Sequence, residues 1–93
     1  MKLLNEHESE IEGKLFSNGS EVEFDEKCKR IEWLTSSVLN KVSVNSDGWE
    51  TLFRDPKDKR LWVLYYPQSE LHGGGPPSLC LVSKEEAELK FSL

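Results

Sequence analysis

Few residues of this 93-residue chain could do chemistry, and the most suggestive pair lies in one short segment. His72 follows Glu70 by two positions, and a histidine beside a carboxylate can act as an acid–base pair because imidazole titrates near neutral pH. The segment contains no obvious nucleophile for such a pair to activate. A polar loop contact is therefore the simpler interpretation, and a small enzyme that uses His72 and Glu70 is kept as an alternative.

The other groups that could hold a metal ion or a cofactor are scattered. Cys28, Cys80 and His72 are far apart in sequence, whereas structural zinc sites use ligands at short spacings. The glycine run at 73–75 is followed by two prolines and lacks the lysine and the helix start of a phosphate-binding loop. We therefore predict a protein that is not an enzyme, with no catalytic residue, no cofactor and no metal site. The two cysteines lack a CxxC spacing and are predicted to be free thiols.

Composition predicts one acidic domain over residues 1–93. Hydrophobic residues make up 37% of the chain and charged residues 31%, which suits a soluble domain with a thin core. No apolar run approaches the roughly 20 residues that span a bilayer, and the N-terminus lacks the apolar region of a signal peptide. These features predict a cytoplasmic protein that does not bind a membrane. The net charge of −5 argues against nucleic acid as a partner.

The centre of the predicted fold is a β-hairpin. The segment 55–59 is a turn sequence between two apolar runs, 49–54 and 60–66. Pairing Arg54 with Arg60 gives one nearly apolar face, which we expect to lie against the core. That face holds Trp49, Thr51, Phe53, Leu61, Val63 and Tyr65.

The opposite face of this hairpin is the predicted partner surface. It mixes aromatic and charged side chains, which suits a binding site on a small domain, and a second packing layer is the alternative. We add the loop that follows the hairpin and two further positions. The predicted partner residues are Glu50, Trp62, Tyr66, Gln68, Glu70, His72, Trp33 and Glu12. Trp33 falls on the polar side of the predicted helix, where it either covers the chain's own loop or anchors a partner.

A second hairpin is predicted near the N-terminus. Asn18–Gly19 suits a type I′ turn, which pairs Leu15 with Val22 and places Phe24 on the same apolar face. The order of elements along the chain is β-β-α-β-β-β-β-α. It predicts an α+β fold with a mainly antiparallel sheet of about six strands and helix packing on one face of that sheet.

Two helices complete the predicted fold, and each has a recognisable start. Asp25 can cap a longer helix that runs to about Leu39. Ser83 and Glu86 form a capping-box pattern for a short C-terminal helix.

Several strings in the chain are distinctive beyond their local structure. They are GWETLFRDP, RLWVLYYPQSELHGGGPP and LCLVSKEEA, together with CKRIEWL upstream of them. These strings resemble the immunity protein 27 family of bacterial polymorphic toxin systems, and the similarity runs over nearly the whole chain. The resemblance implies a small cytoplasmic protein that binds and neutralises a cognate toxin, which we expect to happen by stoichiometric occlusion.

The charge distribution bears on the nature of that toxin. Residues 1–26 hold eight acids and two bases, and such an acidic region could steer a basic partner, for example a nuclease toxin with a phosphate-binding cleft. Simple solvation of the surface is the alternative explanation. A homodimeric structural or adaptor module, in which the mixed hairpin face pairs with itself, is the competing function, so monomer or homodimer is left undecided.

Overall fold

The computed structural model describes residues 1–18, 21–67 and 75–92. These parts of the chain form seven β-strands and two α-helices, and a π-helical segment follows the first helix. In chain order the elements are β1 (Glu10–Glu12), β2 (Leu15–Asn18), β3 (Glu21–Phe24), α1 (Glu26–Trp33), the π-helical segment (Leu34–Val38), β4 (Asn40–Val44), β5 (Thr51–Arg54), β6 (Leu61–Tyr65), β7 (Ser78–Val82) and α2 (Lys84–Phe91). Neither helix in the described parts of the chain has the length and apolar content that crossing a membrane requires.

Five strands form one antiparallel sheet in the order β1-β7-β6-β5-β4, and β2 pairs with β3 in a separate hairpin. The predicted α+β class and antiparallel sheet are confirmed. The number of strands differs from the prediction because the expected first strand divides into β1 and β2. The division lies at Gly13, whose N–H donates to the carbonyl oxygen of Pro77 at 3.0 Å. Beyond Gly13 the chain leaves the edge of the sheet and enters the N-terminal hairpin, β2–β3.

The N-terminal hairpin forms, but in a different register from the predicted one. Leu15 pairs with Phe24, and not with Val22. The shift of two residues keeps Leu15 and Phe24 on a common face, since side chains alternate along a strand. The same pairing continues by one residue pair at the base of the hairpin, where the Asp25 N–H donates to the Lys14 carbonyl oxygen at 3.0 Å. The predicted turn at Asn18–Gly19 lies partly outside the described residues.

The central hairpin, β5–β6, is shifted by one residue from the predicted register. Arg54 pairs with Leu61 and not with Arg60, so Phe53 lies opposite Trp62. A one-residue shift exchanges the two faces of one strand. Trp62 therefore shares a face with Phe53, and the predicted mixed aromatic and charged face does not exist as such.

The turn of the central hairpin explains this register. The Asp55 N–H donates to the Arg60 carbonyl oxygen at 2.9 Å, so the last pair before the turn is Asp55 with Arg60. Asp55 is 3% exposed, and its carboxylate accepts the Lys57 N–H at 2.9 Å. Lys59 closes the turn with a φ angle of 68°, a conformation that most residues rarely adopt. Because the turn closes on Asp55 and Arg60, Arg54 is left to pair with Leu61.

Apolar side chains fill both faces of the five-stranded sheet. On one face the cover comes from α1 and the N-terminal residues, and on the other it comes from α2. The first core contains Leu4, Ile11, Ile31, Leu34, Leu39, Phe53, Trp62 and Leu79. The second contains Leu52, Val63, Ala87 and Phe91. The predicted packing of helices on one face is wrong, because β6 is apolar at every position and both of its faces need a cover.

The two helix starts are confirmed, and both rest on side chains that accept backbone N–H groups. Asp25 caps α1 by accepting the Cys28 N–H at 3.0 Å. Ser83 and Glu86 form a reciprocal capping box at the start of α2. Cys28 and Cys80 are free thiols, as predicted.

Residues 1–9, here called the N-terminal arm, are tied to the α1 side of the molecule. Leu4 lies in the core with 1% of its surface exposed. Arg30 of α1 donates to both carboxylate oxygens of Glu8, at 2.7 and 2.8 Å. Arg60 donates to the Glu8 carbonyl oxygen at 3.3 Å. The arm therefore links the first helix to the turn of the central hairpin.

Candidate partner-binding site

A groove of about 600 Å³ opens between the N-terminal hairpin, α1 and the end of β6. One wall comes from β3 and α1, and the other comes from the last part of β6 and the segment that leads into β7. Its apolar lining comprises Phe24, Ile31, Leu64, Tyr66 and Pro77. The volume lies within the range of about 300–1,000 Å³ that is usual for binding pockets.

Exposed aromatic rings border this groove. Phe24 is 49% exposed, and it lies opposite Leu15, which is 38% exposed. Tyr66 lines the groove on the far side and packs edge-to-face against Trp49, with ring centroids 5.8 Å apart. Trp49 is itself 49% exposed. Clustered apolar side chains on the surface of a small domain usually mark an interaction site, because leaving them in water is unfavourable.

The polar residues of the groove give it a small negative excess. Glu23 and Glu32 are both exposed and contribute two carboxylates, while Lys29 contributes one ammonium group. All three lie on β3 or α1, the same wall as Phe24. The opposite wall, around Tyr66, contributes no charged side chain among the described residues.

The Cys28 thiol lines the groove but is only 5% exposed. Burial, aided by the neighbouring Asp25 carboxylate, raises the pKa of the Cys28 thiol above its usual value. The thiol is therefore neutral at physiological pH and a poor nucleophile. Within the described parts of the chain, no three His, Cys, Asp or Glu side chains are grouped so that they could hold a metal ion.

The structure does not gather the predicted partner residues into one surface. Tyr66 lines the groove. Trp33 is half-buried and packs against the core on the α1 side. Glu50 lies on the α2 side, where its carboxylate is 2.9 Å from the Lys90 ammonium group. Glu12 is exposed on β1, the strand at the edge of the sheet.

Trp62 requires a correction. The expectation that it lies on an exposed face is wrong, because the one-residue shift of register turns it towards Phe53 and the core, where it is 0% exposed. A partner cannot reach its ring in this fold, so Trp62 is removed from the candidate site. The remaining predicted residues, Gln68, Glu70 and His72, lie outside the described residues, and their part in binding stays a prediction.

Two residues of the groove region were not found by sequence reasoning. The sequence pattern assigns Phe24 and Trp49 to buried faces, since each alternates with polar neighbours along its strand. Both are 49% exposed: Phe24 ends β3 in the hairpin outside the five-stranded sheet, and Trp49 lies in the connection between β4 and β5. For Phe24 the sequence signal is Gly13, where the chain leaves the sheet, and a single glycine does not reveal that.

An open groove bordered by exposed aromatic side chains, on a small α+β domain, is typical of a protein that binds another protein. One family model, immunity protein 27, matches residues 17–83, which is more than half of the chain. The chain therefore belongs to the immunity protein 27 family. No curated protein and no solved structure matches it.

The matched span runs from within β2 to the cap of α2 and includes β3, α1 and the central hairpin. It contains every described residue that lines the groove. The N-terminal arm, β1 and α2 lie outside it. Family membership indicates an immunity-protein role, which is a role in binding, and it implies a cognate toxin as the partner.

Proposed function

We propose that this protein neutralises a cognate toxin of a bacterial polymorphic toxin system by covering the toxin's active site in a one-to-one complex, in the cytoplasm. The observation that supports this most directly is the groove with its exposed aromatic border, Phe24 on one side and Tyr66 with Trp49 on the other. Aromatic side chains at the centre of an interface contribute most of its binding energy. Occlusion needs no chemistry from the protein, only a preformed surface.

The size of the protein is sufficient for such a complex. A standard interface buries about 800 Å² on each partner. The accessible surface of this chain is 6217 Å², so an interface of that size occupies a modest part of it. The groove and the exposed rings of Phe24 and Trp49 supply its apolar centre, and Glu23 and Glu32 supply a polar edge.

The charge of the protein favours a basic toxin. The chain has a net charge of −5, and its acidic residues are concentrated in the first 26 positions, which include the whole N-terminal hairpin. Opposite charges on two partners increase the rate at which they meet and help to orient them. A nuclease toxin, whose phosphate-binding cleft is basic, has the complementary charge, and it is the toxin class that we propose.

The proposal is tested by titrating a cognate toxin with the purified protein and measuring the remaining toxin activity. We expect activity to fall linearly and to vanish at one equivalent. The variant Tyr66→Ala should weaken the complex about 30-fold, which corresponds to the roughly 2 kcal/mol of an aromatic hot spot. Leu89→Gln is the matched control, because Leu89 is 87% exposed on α2 and lies outside the groove.

Two results would contradict the proposal. If the toxin stays fully active with the protein in excess, neutralisation of that toxin is wrong. If Tyr66→Ala and Leu89→Gln bind as tightly as the unchanged protein, the complex forms elsewhere and the groove is not its centre. Light scattering on the isolated protein tests the competing function, since a stable homodimer would indicate that the exposed rings pair with a second copy.

A further inference from the structure

The N-terminal hairpin contributes Phe24 to the groove, yet it stands outside the five-stranded sheet. A two-stranded hairpin is at best marginally stable by itself, so its position depends on how its base is attached. The attachment is the two-residue link between β1 and β2, Gly13 and Lys14. We call this link the joint.

The joint connects three elements by backbone and side-chain contacts. The Gly13 N–H donates to the Pro77 carbonyl oxygen at 3.0 Å, just before β7 begins. The Lys14 carbonyl oxygen accepts the Asp25 N–H at 3.0 Å, at the end of the hairpin. The same oxygen is 3.6 Å from the Cys28 thiol of α1. Two residues therefore fix the hairpin and the first helix against the segment that leads into β7.

The joint has no room for a side chain. A Cβ atom on Gly13 would lie 2.4 Å from the Pro77 carbonyl oxygen and 2.6 Å from the Cys28 sulfur. Gly13 does not have the positive φ angle that favours glycine, unlike Gly48 and Gly75. The space, and not the backbone conformation, is what requires glycine at position 13.

The two atoms that crowd Gly13 belong to residues on opposite walls of the groove. Cys28 lies on the α1 wall, and Pro77 lies on the wall that leads into β7. The Pro77 carbonyl is held in place because the next residue, Ser78, already pairs with Glu12 and Tyr65 in the sheet. A side chain at position 13 must therefore push α1 and the hairpin away from Pro77.

We propose that Gly13 is the positioning residue of the partner-binding groove: its missing side chain sets the distance between the two walls. This inference rests on the proposed function, because it assigns a role to a residue that does not touch the toxin. It predicts that Gly13 controls affinity through the placement of Phe24 and α1 relative to Tyr66.

The test compares Gly13→Ala with Gly48→Ala. Gly48 has a φ angle of +78°, and a Cβ atom on it would meet no other atom within 4 Å, so alanine there strains the backbone without crowding the joint. Amide hydrogen exchange by NMR gives a readout that needs no toxin. In Gly13→Ala we expect the amides of residue 13 and Asp25 to exchange at least tenfold faster relative to the core amide of Leu52. Gly48→Ala should leave those ratios unchanged, because a general loss of stability accelerates all three amides together.

Binding to the toxin gives the second readout. Gly13→Ala should raise the Kd at least tenfold for the folded protein, and Leu89→Gln should not change it. Unchanged exchange ratios overturn the role of Gly13 in the joint, and changed ratios with an unchanged Kd overturn its role in binding. If the unchanged protein does not bind the toxin, the proposed function fails, while the exchange ratios still decide whether Gly13 holds the joint.

A milder variant covers the case in which Gly13→Ala does not fold. Cys28→Val adds one methyl group against the Gly13 backbone from the α1 side only, and it keeps the glycine. We expect the same local increase in exchange at Gly13 and Asp25, about threefold, with a matching weakening of binding. Cys80→Val is its control, because Cys80 lies on the α2 side of the sheet. Equal behaviour of the two cysteine variants overturns the proposal.

Discussion

The central hairpin, β5–β6, lies in the middle of the five-stranded sheet, whereas the N-terminal hairpin, β2–β3, lies outside it. The central hairpin is covered on both faces, by α1 and by α2, and Leu52 and Trp62 are each 0% exposed. In the N-terminal hairpin, Leu15 and Phe24 pair with each other and both remain exposed. One hairpin therefore forms the core, and the other presents apolar side chains to solvent.

The comparison also shows that the distinctive strings of the sequence contain residues of two kinds. Leu52 and Trp62 of the central hairpin hold the sheet together, whereas Trp49 and Tyr66, from the same strings, border the groove. Phe24 of the N-terminal hairpin lines the groove and lies in none of these strings. A distinctive motif in a small binding protein can thus contain both core residues and candidate recognition residues.

The largest expected effect is on the central hairpin. Replacing Trp62 with alanine should lower the free energy of unfolding by about 3–5 kcal/mol, because it leaves a cavity beside Phe53. Urea denaturation followed by circular dichroism measures this loss. Trp49→Ala is the matched control and should cost less than about 1 kcal/mol, because Trp49 is 49% exposed. Similar losses for the two tryptophans would break the distinction between core and surface.

The next effect concerns the N-terminal hairpin, where we expect the substitution to affect binding more than stability. Phe24→Ala should weaken toxin binding by about 2 kcal/mol and lower stability by less than about 1 kcal/mol, because the ring is half exposed and borders the groove. Calorimetric titration and thermal unfolding measure the two quantities. Val44→Ala serves as the control, because Val44 is 41% exposed on β4 and does not line the groove. A large loss of stability in Phe24→Ala would show that this hairpin also belongs to the core.

The smallest effect concerns the N-terminal arm, which supports the central hairpin through Arg60. Hydrogen bonds from Arg30 lower the pKa of Glu8 from 4.5 to about 2. Because the folded-state pKa lies below that of the unfolded chain, the stabilisation is complete above about pH 4.5 and is lost as the pH falls towards 2. Glu8→Gln should therefore cost about 1–2 kcal/mol at pH 7 and almost nothing near pH 2.

Denaturant unfolding at several pH values measures this dependence. Glu6→Gln is the control from the same arm, because the Glu6 side chain is 85% exposed and its one close partner is the exposed His7. It should leave stability unchanged at every pH. A difference between Glu8→Gln and the unchanged protein that persists at low pH would mean that the arm is not held by this ion pair.

The elements of the fold could be predicted wherever their signals are local. Asp25 and the pair Ser83 and Glu86 cap their helices as the sequence indicates, because an N-cap depends only on residues within one turn. The register of the central hairpin could not be predicted. Every position of Leu61–Tyr65 is apolar or aromatic, so alternation does not distinguish its two faces. Only the turn that closes on Asp55 decides between them.

The candidate site was less predictable than the fold, because its residues come from distant parts of the chain. Tyr66 belongs both to the predicted surface and to the groove, whereas Phe24 and Trp49 were assigned to buried faces by alternation alone. Phe24 is exposed because its hairpin stands outside the five-stranded sheet, and Trp49 lies in the connection between β4 and β5. A short stretch of sequence does not predict either position, since each follows from how distant parts of the chain pack.

In the described parts of the chain, the N-terminal hairpin shares no hydrogen-bonded ladder with the five-stranded sheet, and Gly13 and Lys14 join it to that sheet. If the groove binds the toxin as we propose, we expect that exchanging residues 15–24 between family members transfers preference for a toxin while the five-stranded sheet keeps its fold. Recognition and folding would then change independently of each other in this protein.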